Sequence, residues 1–195
     1  GKIVDLLSRD SHIVARYQGG ANAGHTVYYN DIKIVLHQIP SGILRDDCKC
    51  ILGNGMVVDP IALVEEINMV KSHGVSIDNK IFLALNTHIV TPIHKFIDSY
   101  QEATTEKKIG TTGRGIGPTY VNKYDRVGIR ALDLLDKGKL KTKIDKFLEK
   151  TLTTYTLNDS EVSAIEGQLI EFMECAENVS QYVSDTFTII HNQAQ

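Results

Sequence analysis

Apolar positions along this chain recur at two spacings, and the switches between them mark its elements. Residues 3–7, Ile-Val-Asp-Leu-Leu, are apolar at helical spacing and predict a short first helix. Residues 11–17 predict a strand that runs straight into a glycine-rich loop, a ligand-facing position in α/β folds. Residues 27–39 carry β-branched and aromatic positions on both sides of Asn30 and Asp31, which predicts a hairpin turning there and stopped by Pro40, Ser41 and Gly42. Residues 49–52 and 56–58 predict two short strands flanking Gly53, Asn54 and Gly55. Asp59 and Pro60 then announce a helix, as N-cap acceptor and first-turn proline. Its apolar stripe is Leu63, Val64, Ile67 and Val70, and Gly74 is the expected stop. A buried strand over 80–85 and a helix from Pro92 to about Glu106 follow.

Strands alternating with helices predict an α/β domain with a mostly parallel central sheet. Past residue 130 the pattern turns to helix only. Residues 140–152 are lysine-rich and amphipathic, and apolar residues from Val162 through Val183 and Phe187 to Ile190 keep helical spacing, behind a capping box of Asn158 and Glu161. The expected division is an α/β part over 1–130 and a helical subdomain over 131–195.

Composition narrows the function classes. With 42% apolar and 23% charged residues in 195, the chain is a globular one. Its net charge of -3 gives nothing that draws it to nucleic acid or anionic lipid, so any phosphate affinity is local. No apolar run approaches the roughly 20 residues that span a bilayer. No signal peptide pattern opens the chain, and a soluble, cytoplasmic protein is expected. Cys48, Cys50 and Cys175 fit neither a CxxC redox pair nor a zinc clip, and read as reduced structural thiols. The six histidines other than His25 show no metal-ligand spacing.

The candidate chemistry lies in two loops, Arg16-Tyr-Gln-Gly-Gly-Ala-Asn-Ala-Gly-His-Thr26 and Ile109-Gly-Thr-Thr-Gly-Arg-Gly-Ile-Gly-Pro118. Small residues let backbone N–H groups line up as an anion nest. In the first loop Asn22 can read a polar ligand edge, and His25 can exchange a proton or steady developing charge. In the second, Thr111, Thr112 and Arg114 bring hydroxyls and a guanidinium suited to an oxyanion. Neither the G-x-G-x-x-G nor the G-x-x-x-x-G-K-[ST] register can be laid on it. Arg126 and Arg130 could clamp a phosphate, although an isolated arginine more often ends in a solvated ion pair.

Taken with Gly1-Lys-Ile-Val-Asp-Leu-Leu7, Leu36-His-Gln-Ile-Pro-Ser-Gly-Ile-Leu44 and Gly53-Asn-Gly-Met-Val-Val-Asp-Pro60, these loops resemble the adenylosuccinate synthetase family over most of residues 1–135. The resemblance implies the P-loop NTPase-like sheet of those enzymes and a GTP-dependent ligation of IMP and L-aspartate, the first committed step of AMP biosynthesis. GTP would phosphorylate the 6-oxygen of IMP, and the aspartate amine would displace the phosphate. It implies a catalytic role for His25 and IMP contacts from Asn22, Ala23, Gly24, His25 and Thr112. GTP contacts would come from Gly1, Lys2, Gly24, His25 and Thr26, and the Gly24 carbonyl would be a ligand of Mg2+. Arg126 would reach the IMP site of the partner subunit in a homodimer, and residues 26–37 would close over bound substrates. Family members begin with a loop ending Gly-Asp-Glu-Gly-Lys-Gly-Lys, of which only Gly1 and Lys2 match here. The aspartate that serves as general base is therefore not in this sequence, nor are the later segments that recognise guanine and aspartate. The expectation is a piece of a longer enzyme that does not turn over alone. Two other readings stay open: a non-catalytic nucleotide-binding or dimerisation module, and an interaction protein docking through the helix expected over 158–191.

Overall fold

The computed structural model describes residues 7, 11–29, 32–106, 108 and 110–193. Apart from Leu7, the expected first helix lies outside the described residues, as do Gly1, Lys2 and the hairpin turn at Asn30 and Asp31. The central sheet has the order β1 (Ile13–Gly19), β4 (Lys49–Val58), β5 (Ile81–Ala84), β7 (Val183–Ser184), with β6 (His88–Ile89) paired to the second half of β4. Every pairing in it is parallel. Strands β2 (His25–Tyr29) and β3 (Ile32–Leu36) form a separate antiparallel hairpin.

Parallel strands are covered on both faces, which requires continuous apolar runs. Strand β4 meets this condition: Cys50, Ile51, Leu52, Met56, Val57 and Val58 are all buried. Helices α1 (Pro60–Ser72), α2 (Pro92–Thr104), α3 (Ile116–Tyr124), α4 (Lys137–Thr154) and α5 (Asp159–Ser180) surround the sheet, and α6 (Thr186–Gln193) follows β7. Leu63 and Val70 of α1, Ile93 of α2 and Phe172 of α5 share one core with Leu52 and Met56. The helix ends follow the expected chemistry. Asp59 accepts the Ile61 N–H at 3.1 Å, and Asn158 and Glu161 cap each other's N–H groups at 3.0 and 2.9 Å.

Three elements differ from expectation. Gly53, Asn54 and Gly55 do not separate two strands, because β4 runs through them unbroken. They face a bulge in β1 between Arg16 and Gln18, where a side-chain carbon on Gly55 would overlap the Tyr17 carbonyl oxygen. The second glycine loop ends earlier than its composition implies: Ile116, Gly117 and Pro118 already belong to α3, with Pro118 in the first turn where its missing N–H has no helical partner to lose. Finally, the region after residue 130 is not helix only. Helix α5 stops at Ser180 and Val183–Ser184 joins the sheet beside Leu83 and Ala84. A two-residue strand cannot interrupt a 3.6-residue apolar spacing long enough to be read from it.

Candidate functional site

The first glycine loop leaves the C-terminal end of β1, and the polar groups around it hold it from three sides. Arg16 turns its guanidinium back onto the loop, donating to the carbonyl of Gly20 at 2.9 Å and to the carbonyl of His37. Burial pushes its pKa down, while the Glu66 and Tyr120 charges oppose that. The Tyr120 hydroxyl accepts the Gly19 N–H at 3.0 Å and donates to the Gly55 carbonyl at 2.8 Å, tying loop, β4 and α3 together. Gly20 is wedged between strand and helix, since a side-chain carbon there would lie 2.6 Å from Ile116 and 2.7 Å from the Val57 carbonyl.

The second loop reaches the first. Arg114 donates to the Ala21 carbonyl at 2.8 Å, and Asp98 of α2 accepts the Gly115 N–H at 2.9 Å. Between the loops opens a cleft of about 720 Å³, lined by Asn22 from the first and Gly110, Thr111 and Thr112 from the second, with Gln101, Glu102 and the start of α3 as walls. Thus Asn22 and Thr112, ninety residues apart in sequence, face one space, and both are exposed to it. The next residues of the first loop line a second groove of about 320 Å³: Ala23, Gly24 and His25, with Arg16, Pro40 and Ser41 opposite.

His25 opens β2 and pairs with Leu36. Burial lowers its pKa to about 4, helped by the positive charge of Arg16 and by His37. It is therefore a neutral imidazole at neutral pH. His94, by contrast, is a structural histidine. Its Nδ1 accepts the Thr91 N–H at 3.0 Å, and its Nε2 lies 3.1 Å from the side-chain amide of Asn122. Burial holds its pKa at about 3.

Of the sequence-expected residues, the structure gathers Asn22, Ala23, Gly24, His25 and Thr112 along two neighbouring openings, while Thr26 is exposed beside them on β2. Gly1 and Lys2 lie outside the described residues. Arg126 is not brought in. It stands exposed beyond the C-terminus of α3, a nine-residue helix, hence about 13 Å of helix from the loop, with φ of 61°. Val121, Tyr124 and Val127, close to it in sequence, are exposed as well. Arg130 hydrogen-bonds Asn86 at 3.3 Å. Glu66, Gln38 and Tyr120 were not singled out from the sequence; each acts through backbone groups far along the chain, a relation no local motif carries. Cys48, Cys50 and Cys175 are free thiols. Among the described residues no cluster of three His, Cys, Asp or Glu could hold a metal ion, and no helix is long and apolar enough to cross a membrane.

The adenylosuccinate synthetase family model matches residues 1–195. The adenylosuccinate synthetase of Chlorobium phaeovibrioides is 43% identical over 195 residues, covering 99% of this chain and 45% of the relative. That of Salinibacter ruber is 43% identical over 196 residues, covering 95% and 45%. The structure of a fully ligated adenylosuccinate synthetase from Plasmodium falciparum superimposes with a TM-score of 0.85 at 36% identity, over 99% of this chain and 45% of that one. The chain spans a little under half the length of these relatives.

Proposed function

Because this chain belongs to the adenylosuccinate synthetase family, we propose that it supplies the IMP-binding loops and part of the GTP site of an enzyme that joins IMP and L-aspartate at the expense of GTP. The observation that carries this reading is the meeting of Asn22 and Thr112 across one cleft, with Gly24 and His25 on the adjoining groove. Asn22, Ala23 and Gly24 present a backbone and an amide to IMP, and the hydroxyl of Thr112 takes its phosphate. Gly24, His25 and Thr26 contact GTP, His25 at the transferring γ-phosphoryl group, and Gly1 and Lys2 belong to the same GTP site in this reading.

Phosphoryl transfer asks the protein for position and charge stabilisation. A neutral His25 donates one hydrogen bond to the transferring group, and a phosphate beside it favours the protonated form, so ligand arrival raises its pKa from about 4. The described residues offer magnesium one carbonyl oxygen, on Gly24, and no carboxylate cluster. That set fits an ion carried in on nucleotide phosphates, whose remaining ligands are phosphate and water oxygens. Bound there, Mg2+ supplies charge neutralisation at the γ-phosphate.

Arg126, exposed past the C-terminus of α3 and not among the residues lining its own cleft, suits a residue that serves the IMP site of the partner subunit in a homodimer. A cytoplasmic setting follows from the same reading, since its substrates are soluble nucleotides.

Calorimetry of IMP binding tests the core of this. Saturable binding that weakens at least tenfold in Asn22→Ala and Thr112→Ala supports it, and a flat titration rejects it. Adding GTP, Mg2+ and aspartate and following adenylosuccinate by its ultraviolet absorbance then shows whether these 195 residues complete the reaction.

A further inference from the structure

A buried carboxyl group that no motif marks grips the backbone just past β3. Glu66 sits on the buried side of α1, with 6% of its surface exposed. Its two oxygens accept three consecutive backbone N–H groups: His37 at 2.9 Å, Gln38 at 2.9 Å and Ile39 at 3.0 Å. Three successive N–H groups converging on one anion make a nest, here filled by the protein's own side chain. Both oxygens receive N–H donors, so the arrangement suits the ionised form. Burial nevertheless raises the Glu66 pKa, against the three hydrogen bonds that lower it. Such a group is costly to keep dry unless the segment it grips is worth fixing.

The gripped segment is the exit of β3. His37 is clamped on both sides of its Cα, its N–H by Glu66 and its carbonyl by Arg16. One residue on, the Gln38 side chain exchanges two hydrogen bonds with the Asp59 backbone, at 2.8 and 3.0 Å. Asp59 in turn caps α1 and pairs with Lys95 at 2.7 Å. The His37 ring lies against Gly24, so closely that a side-chain carbon on Gly24 would come within 2.9 Å of its Nε2. The chain of contact therefore runs from Glu66 through His37 to the Gly24 and His25 backbone.

We propose that Glu66 is a positioning residue: from α1 it sets the place of His37, and through it the backbone of Gly24 and His25, without touching ligand. The proposal rests on the functional reading above for what that backbone binds. Glu66→Gln keeps the shape and turns an NH2 group, in place of one acceptor oxygen, against the nest. Asp133→Asn, in a buried ion-pair cluster with Lys143 at 2.7 Å, serves as a control that destabilises the fold elsewhere. Amide exchange by NMR is expected to speed up at least tenfold at His37, Gln38 and Ile39 in E66Q, with shifted amide signals at Gly24 and His25. In D133N neither is expected to change. Unchanged protection at 37–39, or the same pattern in both variants, overturns the proposal.

A second arm titrates GTP with Mg2+ by calorimetry. At least tenfold weaker binding in E66Q than in D133N is expected, and equal affinities overturn the positioning role. A lack of GTP binding by the unsubstituted chain rejects the GTP part of the functional reading, and the exchange arm then decides the anchoring alone. Where E66Q does not fold, Arg16→Lys releases the other side of the same residue and must give the same exchange pattern, or the proposal falls.

Discussion

The two glycine-rich loops look alike in sequence and are built by opposite means. In the first, small residues answer to crowding. Gly20 is pressed between Val57 and Ile116, the Tyr120 hydroxyl holds Gly19, and Arg16 holds the Gly20 carbonyl. In the second, Gly110 has nothing within 4 Å of an added side-chain carbon, and the crowding lies at the loop's end, where such a carbon on Gly115 would come 2.8 Å from the Lys95 backbone nitrogen. That loop is fixed at its start by Glu102, which accepts the Gly110 N–H at 2.8 Å, and at its end by Arg114 on Ala21 and Asp98 on Gly115, and between them it is open to the cleft. A loop built by crowding is preformed, and one built by backbone freedom leaves room beside a ligand.

The crowded side is where substitution costs most. Gly55→Ala drives a carbon into the Tyr17 carbonyl, and neither parallel strand can move without losing its register. A loss of about 3 kcal/mol is expected, which for a chain of this size lowers Tm by about 6 to 12 °C. Gly20→Ala meets one backbone oxygen and one flexible isoleucine tip, and about 2 kcal/mol is expected. Thermal melts of the two variants rank them. The same rank for Gly110→Ala as for Gly20→Ala would break the distinction between the loops.

How much of this was legible in sequence depended on how far apart the cooperating groups stand. The caps at Asp59 and Asn158 were legible, because donor and acceptor lie within three residues. The parallel sheet was legible from the alternation of elements. The role of Gly55 was not, since its cause is a strand nearly forty residues earlier, and a Gly-Asn-Gly triplet reads locally as a turn. Helix α3 was hidden by two glycines and a proline at its start. In the site, Asn22, His25 and Thr112 stood out by residue type. The resemblance placed them in one site, whereas Glu66 and Tyr120 act on backbone groups 27 or more residues away and look ordinary in sequence.

Acidification probes the preformed loop without substitution. With its pKa at about 4 against an ordinary 6.5, His25 stays neutral in the fold while the unfolded chain takes up a proton. Stability from this group is present above pH 6.5 and is lost as pH falls toward 4, because the unfolded state binds the proton first. NMR titration of the imidazole should show a midpoint near 4 in the native chain. Gly20→Ala or Arg16→Lys, which loosen the loop or remove a hydrogen bond to it, should move that midpoint toward 6.5. A native midpoint already near 6.5 would mean that the first loop is as open in solution as the second.

The smallest effects belong to the open loop, and their signs are the informative part. Gly110 has φ of 77°, so alanine there meets no atom but adopts a left-handed backbone, at a cost of about 1 kcal/mol. Gly117 lies in the first turn of α3 with ordinary φ and free space, so alanine favours helix and gains about 0.5 kcal/mol. Opposite shifts in Tm are therefore expected from two chemically identical substitutions on the same cleft. Affinity for IMP separates stability from function. If Gly117→Ala raises Tm yet weakens IMP binding, the space over Gly117 is occupied by ligand, and the glycine is there for backbone approach. If it raises Tm and leaves binding unchanged, the ligand lies toward Asn22 and Thr112 and that wall of the cleft is free.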